Sequence, residues 1–140
     1  MSITLAPPEG FARHYRKSPL TDPWEPLFSR KADGVVAIGF TAATSHTNSR
    51  GFVHGGMIGA LADAAMGLSC AEALEGRPSL VTVSLALDFL VTARLGQWVE
   101  VRPAVSRLGS TLCFADATVT ADDQPCAKAH ATFRVVRAAA

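Results

Sequence analysis

The chain has 140 residues and a formal net charge of +1 at pH 7, with 49% hydrophobic and 18% charged residues. This length suits one domain and excludes a TIM barrel or a multidomain enzyme, and the charge gives no electrostatic footprint for nucleic acid or an anionic membrane. Charged residues make up about 25% of an average soluble domain, so this chain has fewer charged side chains than usual to form its surface. We therefore expect part of its apolar surface to be buried against a second copy of the chain.

Residues 1–26 are predicted to form an irregular arm ahead of one domain that spans 27–140. Five of the eight prolines lie in this arm, and proline fixes φ and removes a backbone donor. A short helix near 11–17 is compatible with the sequence. Because the start of the chain lacks a basic segment followed by an apolar one, no signal peptide is expected and the predicted location is the cytoplasm.

The cysteines and histidines give no metal-ligand pattern. Cys70, Cys113 and Cys126 are scattered and form no CxxC pair, which is typical of buried reduced thiols and not of a disulfide framework or a zinc site. His46 and His54 lie eight residues apart with no nearby cysteine. We therefore predict no metal site and no metal or redox cofactor.

Two strands are predicted between the arm and the first long helix. An edge strand begins at 27–30, a turn follows at 32–34, and the next strand covers 35–41. The polar stretch 44–52 is predicted to be a loop that leads into the helix.

A long apolar helix is predicted over about 55–74. Apolar residues recur at helical spacing from Gly55 and stop at Gly76. The helix would be about 30 Å long at about 1.5 Å per residue. Asp63 is its only charge before Glu72, so we expect the helix to be buried nearly all round.

Four strand-like runs follow the helix and are separated by short turns, at 80–91, 98–107, 111–120 and 127–136. Strands joined by short turns run antiparallel. One long helix followed by such strands predicts an α+β domain in which the helix lies across a curved sheet.

His54, Gly55 and Gly56 stand at the predicted start of this helix. The first N–H groups of a helix have no internal partners and carry positive potential, and glycine lets another molecule approach them closely. Such a terminus can hold a carbonyl oxygen and stabilise the oxyanion that forms when the carbonyl is attacked. The alternative is ordinary helix-start chemistry, with glycines chosen for close packing.

Asp63 is the one carboxylate in the apolar stretch 51–71. Burying a carboxylate without partners is costly, and its neighbours on a helical wheel are mostly small, which leaves room for a ligand or a second subunit. A desolvated carboxylate is suited to act as a general base or nucleophile. The alternative is a structural ion pair with Arg77 or Arg94.

Asp63 lies eight residues after Gly55, which is about 12 Å along a helix. A general base must lie within about 3 Å of the atom that it deprotonates, or one water away. Asp63 therefore cannot serve a carbonyl held at the N-terminus of its own helix. If both features are catalytic, they meet across two chains with antiparallel helices, which predicts a two-fold dimer with two shared sites.

Several short motifs follow one another in order within residues 27–136, namely Asn48-x-x-Gly51-x-x-His54-Gly55-Gly56, Leu61-Ala62-Asp63, Val81-Thr82-Val83, Asp88-Phe89-Leu90 and Ala93-Arg94-Leu95-Gly96. This set resembles the signature of hotdog-fold acyl-CoA thioesterases of the phenylacetate-pathway type, in the 4-hydroxybenzoyl-CoA thioesterase superfamily. The resemblance implies a long central helix wrapped by a curved antiparallel sheet of five or six strands. It also implies two subunits joined edge to edge, with such pairs often forming tetramers.

The resemblance assigns roles to the residues around the helix start. It implies that the Gly55 N–H polarises the thioester carbonyl, with support from Gly56 and the helix dipole. Asn48 would help to orient the carbonyl or the attacking water. His54 would either help to form the carbonyl site or orient the loop at the helix start.

The resemblance also implies a catalytic role for Asp63 of the partner subunit, as general base or nucleophile, and for Thr82, whose hydroxyl would position the water. Related chains often carry a basic residue in the turn that is 109–111 here, where it can reach the CoA phosphates. This chain lacks that residue. The candidate phosphate contacts are Arg94 and Arg107, with Arg102 nearby in sequence, and the alternative is that these arginines are solvated surface residues.

The leading hypothesis is an acyl-CoA thioesterase that hydrolyses an aromatic or medium-chain acyl-CoA to the free acid and CoA. CoA enters as part of the substrate, and the expected assembly is a homodimer that pairs into a dimer of dimers, with no nucleic-acid or membrane partner. One alternative is a non-catalytic hotdog protein that binds acyl-CoA or lipid. Another is a hotdog dehydratase or hydratase, although its Asp/His hydration motif is not seen here.

Overall fold

A computed structural model describes residues 6–137, in which one long helix packs on a seven-stranded antiparallel sheet. The helix, α1, is Gly55–Ala73, and short 3₁₀ turns occur at Asp22–Trp24 and Thr44–His46. The strands are β1 (Ala12–Arg13), β2 (Phe28–Ala32), β3 (Val35–Thr41), β4 (Ser79–Phe89), β5 (Trp98–Leu108), β6 (Leu112–Ala121) and β7 (Gln124–Val136). Within 6–137, no helix is long and apolar enough to cross a membrane.

The strands are arranged in the order β1-β2-β3-β5-β6-β7-β4. Strands β5, β6 and β7 pair as consecutive hairpins, whereas α1 carries the chain from β3 to the opposite edge, where β4 pairs with β7. The predicted α+β architecture is therefore confirmed, with seven strands instead of five or six. The additional strand is β1, which comes from the N-terminal arm.

The arm contains a strand where the sequence was compatible with a helix at 11–17. Phe11 is 9% exposed and packs edge-on against Trp98, with ring centroids 5.2 Å apart. Burial of this ring holds the following residues, Ala12–Arg13, extended along β2. Residues 1–5 of the predicted arm and 138–140 of the predicted domain lie outside the described residues.

The helix begins where the sequence predicts and ends one residue earlier, at Ala73. The expectation that it is buried nearly all round is wrong for the described chain, because only one of its faces packs on the sheet. The buried residues of that face include Met57, Ile58, Leu61, Ala62, Ala65, Met66 and Cys70. The opposite face, which includes Asp63, Ala64, Gly67 and Leu68, is half-buried.

Ser69 ties α1 to the sheet. Its Oγ accepts a 2.9 Å hydrogen bond from the Val36 N–H and donates a 2.7 Å bond to the Ala65 carbonyl, and the side chain is fully buried. The predicted buried, unpaired cysteines are confirmed as well, since Cys70, Cys113 and Cys126 are all free and buried.

The predicted strand ends differ from the structure by up to three residues. Strand β7 begins at Gln124 instead of 127 because Asp122 and Asp123 form a two-residue hairpin turn with φ of 46° and 67°. Positive φ at both central residues suits the twist of a tight hairpin. Strand β4 ends at Phe89, two residues before the predicted 91.

Strand β4 is the edge of the sheet next to the helix. It pairs only with β7 within the described residues, which leaves its other edge without a strand. Large apolar side chains on and just after this strand are exposed, namely Val81, Val83, Leu85, Phe89, Leu90 and Val91. A long, apolar, unpaired edge strand is a surface that favours pairing with another strand.

Candidate active site

The N-terminus of α1 is capped by the residue that precedes it. His54 Nδ1 accepts a 2.9 Å hydrogen bond from the Gly56 N–H, and the His54 N–H donates to the His46 carbonyl. The Gly55 N–H has no hydrogen-bond acceptor among residues 6–137. The terminus therefore offers the Gly55 N–H to a ligand, while the Gly56 N–H is occupied by the cap.

Gly55 also lies close to the end of β4. A Cβ atom at Gly55 would lie 3.1 Å from Cζ of Phe89, the last residue of β4. Phe89 itself is 54% exposed, so its ring borders the open helix terminus and is free to shift. An apolar surface thus lies beside the Gly55 N–H, as a site for a carbonyl group would need.

Asn48 organises the loop that leads into the helix. Its Oδ1 accepts hydrogen bonds from the Arg50 N–H at 2.9 Å and the Phe52 N–H at 3.2 Å. Two backbone donors fix this atom as the oxygen, and the side-chain NH₂ group has no hydrogen-bond acceptor among residues 6–137. Asn48 therefore has a structural role here, and its amide N–H groups are left for another acceptor.

Asp63 and Thr82 form the second part of the site. The Thr82 hydroxyl donates a 2.6 Å hydrogen bond to Asp63 Oδ1. Neither arginine proposed as a structural partner binds this carboxylate, because Arg77 pairs with Glu72 at 3.3 Å and Arg94 lies beside Phe52. The structure therefore gives Asp63 a hydroxyl partner in place of a cation.

The Asp63–Thr82 pair lines a cavity of about 590 Å³. The cavity lies between α1, the first half of β4 and the N-terminal arm, and its volume is in the usual range for small-molecule sites, about 300–1,000 Å³. Its floor is apolar and includes Leu27, Ile38, Leu61 and Phe133. No pattern in the sequence indicated the part of the wall that the arm provides.

The two parts of the site do not meet within one chain. Both lie on α1, and an uninterrupted helix separates Gly55 from Asp63 by about 12 Å. Asn48, His54, Gly55 and Gly56 are grouped at the helix N-terminus, and Asp63 with Thr82 lies at the helix midpoint.

The candidate phosphate-binding arginines are also far apart. Arg94 lies at the helix N-terminus, because its guanidinium is 5.6 Å from the Phe52 ring and its backbone bridges to Phe52. Arg107 is near the far end of β5, about 30 Å along that strand from its first residue. Arg50, which no sequence pattern indicated as a phosphate contact, lies 5.9 Å from the centre of the same ring.

His46 is a structural residue whose role the sequence did not reveal. Its Nδ1 accepts from the Ala43 N–H at 2.9 Å, and its Nε2 is 2.8 Å from the Trp24 carbonyl and therefore carries the proton. Burial lowers the pKa of this imidazole and outweighs the hydrogen bond to Trp24, which raises it. His46 thus joins the arm to the loop before α1 in its neutral form.

Comparison with known proteins identifies the class. The sequence profile of the thioesterase superfamily matches residues 50–128. The chain is 36% identical over 129 residues to a Pseudomonas aeruginosa protein named "Putative esterase PA0474", with 91% of this chain and 96% of that protein covered. It is 32% identical over 91 residues to Homo sapiens acyl-coenzyme A thioesterase 13, with 64% and 63% covered.

Solved structures share the fold. A mutant of the phenylacetic acid degradation protein PaaI from Thermus thermophilus superposes with a TM-score of 0.75 at 22% identity, covering 85% of this chain and all of that one. The protein smu.793 from Streptococcus mutans UA159, bound to acetyl CoA, gives 0.69 at 28% identity and covers 74% and 82%. The helix on its curved sheet is thus the hotdog fold found in thioesterases. This chain belongs to the thioesterase superfamily.

Proposed function

We propose that this protein is an acyl-CoA thioesterase that hydrolyses an aromatic or medium-chain acyl-CoA at sites shared between two subunits. The observation that carries the proposal is the division of the site along α1, with an open N–H at Gly55 and a hydroxyl-bonded carboxylate at Asp63. Each part has a recognised use in acyl transfer, and the roughly 12 Å between them requires a second chain. The relatives named as an esterase and as an acyl-CoA thioesterase support the same chemistry.

In the proposed reaction, Asp63 acts as general base on a water that Thr82 helps to hold. The water loses a proton to the Asp63 carboxylate, and its oxygen bonds to the thioester carbon. The carbonyl oxygen becomes an oxyanion that accepts the N–H of Gly55 of the partner subunit. Collapse breaks the C–S bond, and the CoA thiolate takes the proton from Asp63, which leaves the free acid and CoA.

The exposed edge of β4 is the surface that we propose for dimerisation. Its unpaired backbone groups and exposed Val81, Val83 and Leu85 would be covered by the same strand of a second chain. Antiparallel pairing about a two-fold axis also sets the two α1 helices in opposite directions. That arrangement would carry each open helix terminus towards the Asp63 of the other chain.

The nucleotide end of CoA is assigned to the arginines beside the helix N-terminus. Arg50 and Arg94 are exposed and approach the same Phe52 ring, and guanidinium groups suit phosphate geometry. Arg107 lies at the end of the sheet opposite to Arg94. It would therefore contact CoA phosphates only at a site where the partner subunit supplies the helix N-terminus. The solved relative that is bound to acetyl CoA supports a CoA-containing ligand.

The activity test is thiol release from a panel of acyl-CoAs that includes acetyl, octanoyl, phenylacetyl and hydroxyphenylacetyl groups. We expect Asp63→Asn and Asp63→Ala to lower kcat/KM by about 10²–10⁴ for every substrate that the parent hydrolyses. Asp116→Asn is the matched control, because Asp116 is exposed and accepts a similar hydrogen bond from Ser106. Full activity in Asp63→Ala would remove Asp63 from the mechanism, and calorimetric binding without thiol release would favour a non-catalytic acyl-CoA-binding protein.

The shared site is tested by mixing two inactive variants. Asp63→Ala and Gly55→Pro each disable one part of the site, so a mixed dimer would keep one complete site. Random reassociation of equal amounts should recover about a quarter of the parent activity. If unfolding and refolding the mixture yields mixed dimers without activity, the shared site is wrong.

A further inference from the structure

The cavity beside Asp63 is lined by α1, by the start of β4 and by the N-terminal arm. On one side lie small residues of α1, including Ala64, Gly67 and Ala71. On the other side lies the N-terminal arm, which contributes residues from His14 to Thr21. Because several of the helix side chains are small, the side chains of the arm contribute to how far the cavity extends from Asp63.

The arm is held in place by Glu25. The Glu25 carboxylate accepts hydrogen bonds from the Leu27 N–H at 2.8 Å and Lys17 Nζ at 3.0 Å, and Arg13 lies 3.4 Å away. The His14 N–H also donates to the Leu27 carbonyl at 2.8 Å. The hydrogen bonds of His14 and Lys17 therefore fix both ends of the cavity-lining segment 14–16.

Tyr15 connects this wall to the helix. Lys31 Nζ lies 4.3 Å from the centre of the Tyr15 ring, and the same ammonium donates a 3.1 Å hydrogen bond to Glu72 of α1. The His14 ring also packs against Tyr15 at a tilted angle, with ring centroids 5.0 Å apart. Tyr15, Lys31 and Glu72 thus bridge from the arm to α1, and two of the three, Tyr15 and Glu72, line the cavity.

We propose that the N-terminal arm is the far wall of the acyl pocket and that Tyr15 sets the size of the acyl group that the pocket accepts. The inference rests on the proposed thioesterase function, which places the reacting carbonyl at Asp63 and leaves the rest of the cavity for the acyl group. Tyr15 is 48% exposed and is the aromatic residue that the arm contributes to the lining, which on the helix side includes the small residues Ala64, Gly67 and Ala71 as well as Leu68 and Glu72. Removing it lengthens the pocket without altering the Asp63–Thr82 pair.

The test compares kcat/KM across straight-chain acyl-CoAs from acetyl to palmitoyl in the parent and in Tyr15→Ala. We expect Tyr15→Ala to raise the palmitoyl-to-acetyl ratio of kcat/KM at least about tenfold, since even one additional methylene accommodated in an apolar pocket changes kcat/KM by about tenfold or more. Acetyl-CoA hydrolysis should be unchanged, because its acyl group does not reach the wall. Tyr15→Phe keeps the ring and should keep the parent profile.

Leu20→Ala is the control within the arm, because Leu20 is 65% exposed and does not line the cavity. Lys31→Met removes the ammonium that contacts the Tyr15 ring and leaves every residue of the cavity wall unchanged. We expect it to raise the palmitoyl-to-acetyl ratio of kcat/KM as well, because the Tyr15 ring is no longer held in place. A folded Tyr15→Ala with the parent's chain-length profile would overturn the inference and leave the thioesterase function intact. If the parent hydrolyses no acyl-CoA, the proposed function fails, and dissociation constants for the same acyl series then decide whether Tyr15 limits pocket size.

Discussion

The Thr82 hydroxyl donates a 2.6 Å hydrogen bond to Asp63 Oδ1, which joins the edge strand β4 to the middle of α1. The bond orients the carboxylate and leaves Oδ2 without a hydrogen-bond partner among residues 6–137. Strand β4 is also the edge proposed for dimerisation. The Thr82–Asp63 hydrogen bond therefore connects the proposed general base, Asp63, to the proposed dimer interface.

Replacing Thr82 separates its role in holding water from its role in packing. We expect Thr82→Val to lower kcat by about tenfold with little change in KM, because the carboxylate loses its fixed orientation and the water loses one hydrogen-bond partner. Thr82→Ser keeps the hydroxyl and should restore most of the activity. Steady-state kinetics would measure both, and equal losses in the two variants would assign Thr82 a packing role only.

Replacing Gly55 tests the open N–H of the first helical residue. Proline suits the first helical position and has no N–H, and the preceding His54 is already extended, with φ −66° and ψ 128°. We expect Gly55→Pro to fold but to lose about 10²–10³ in kcat, the usual effect of removing one oxyanion donor.

Gly55→Ala is the matched control for that variant. It adds the same Cβ beside Phe89 but keeps the N–H, so it reports the steric cost alone. If alanine and proline reduce kcat equally at similar melting temperatures, the N–H is not the oxyanion donor.

Stability should fall below neutral pH because two buried histidines are neutral in the folded protein. Burial lowers the pKa of His46 and of His14 below the ordinary 6.5, for His14 against the opposing attraction of Glu25. The unfolded chain then binds protons that the folded chain does not, so this stability is present above about pH 6.5 and is lost as the pH falls through the lower folded values.

Urea unfolding between about pH 8 and pH 5 would measure this dependence. The variant His46→Gln should be less stable at the upper end and should show a shallower pH slope. His130→Gln removes an exposed imidazole from the outer face of the sheet and serves as the control. An unchanged slope in His46→Gln would contradict the assignment.

Ser69→Ala should destabilise the protein by about 1–3 kcal/mol, because the buried Val36 N–H loses its acceptor. Ser106→Ala removes an exposed hydroxyl that bonds to Asp116 and should change the free energy of unfolding by less than about 0.5 kcal/mol. Urea titration of both variants measures the difference. Equal losses of unfolding free energy in the two variants would mean that the Val36 N–H finds another acceptor.

Local patterns in the sequence were sufficient for most of the architecture. The start of α1 at Gly55 and the limits of β3 follow from apolar periodicity and turn residues, which act over a few positions. The conformation of the arm was not predictable in this way. Its strand depends on Phe11 packing against Trp98, a contact between residues far apart in the chain.

The sequence by itself determined that Gly55 and Asp63 share one helix and are too far apart to act together, since helical rise per residue is fixed by backbone hydrogen bonding. Only the tertiary structure decided which partner Asp63 has and what surrounds it. Thr82 comes from a strand at the far edge of the sheet, and part of the cavity wall comes from an arm whose sequence was compatible with a short helix instead of the strand that it forms. Such contacts depend on how distant segments pack, which spacing along the chain does not encode.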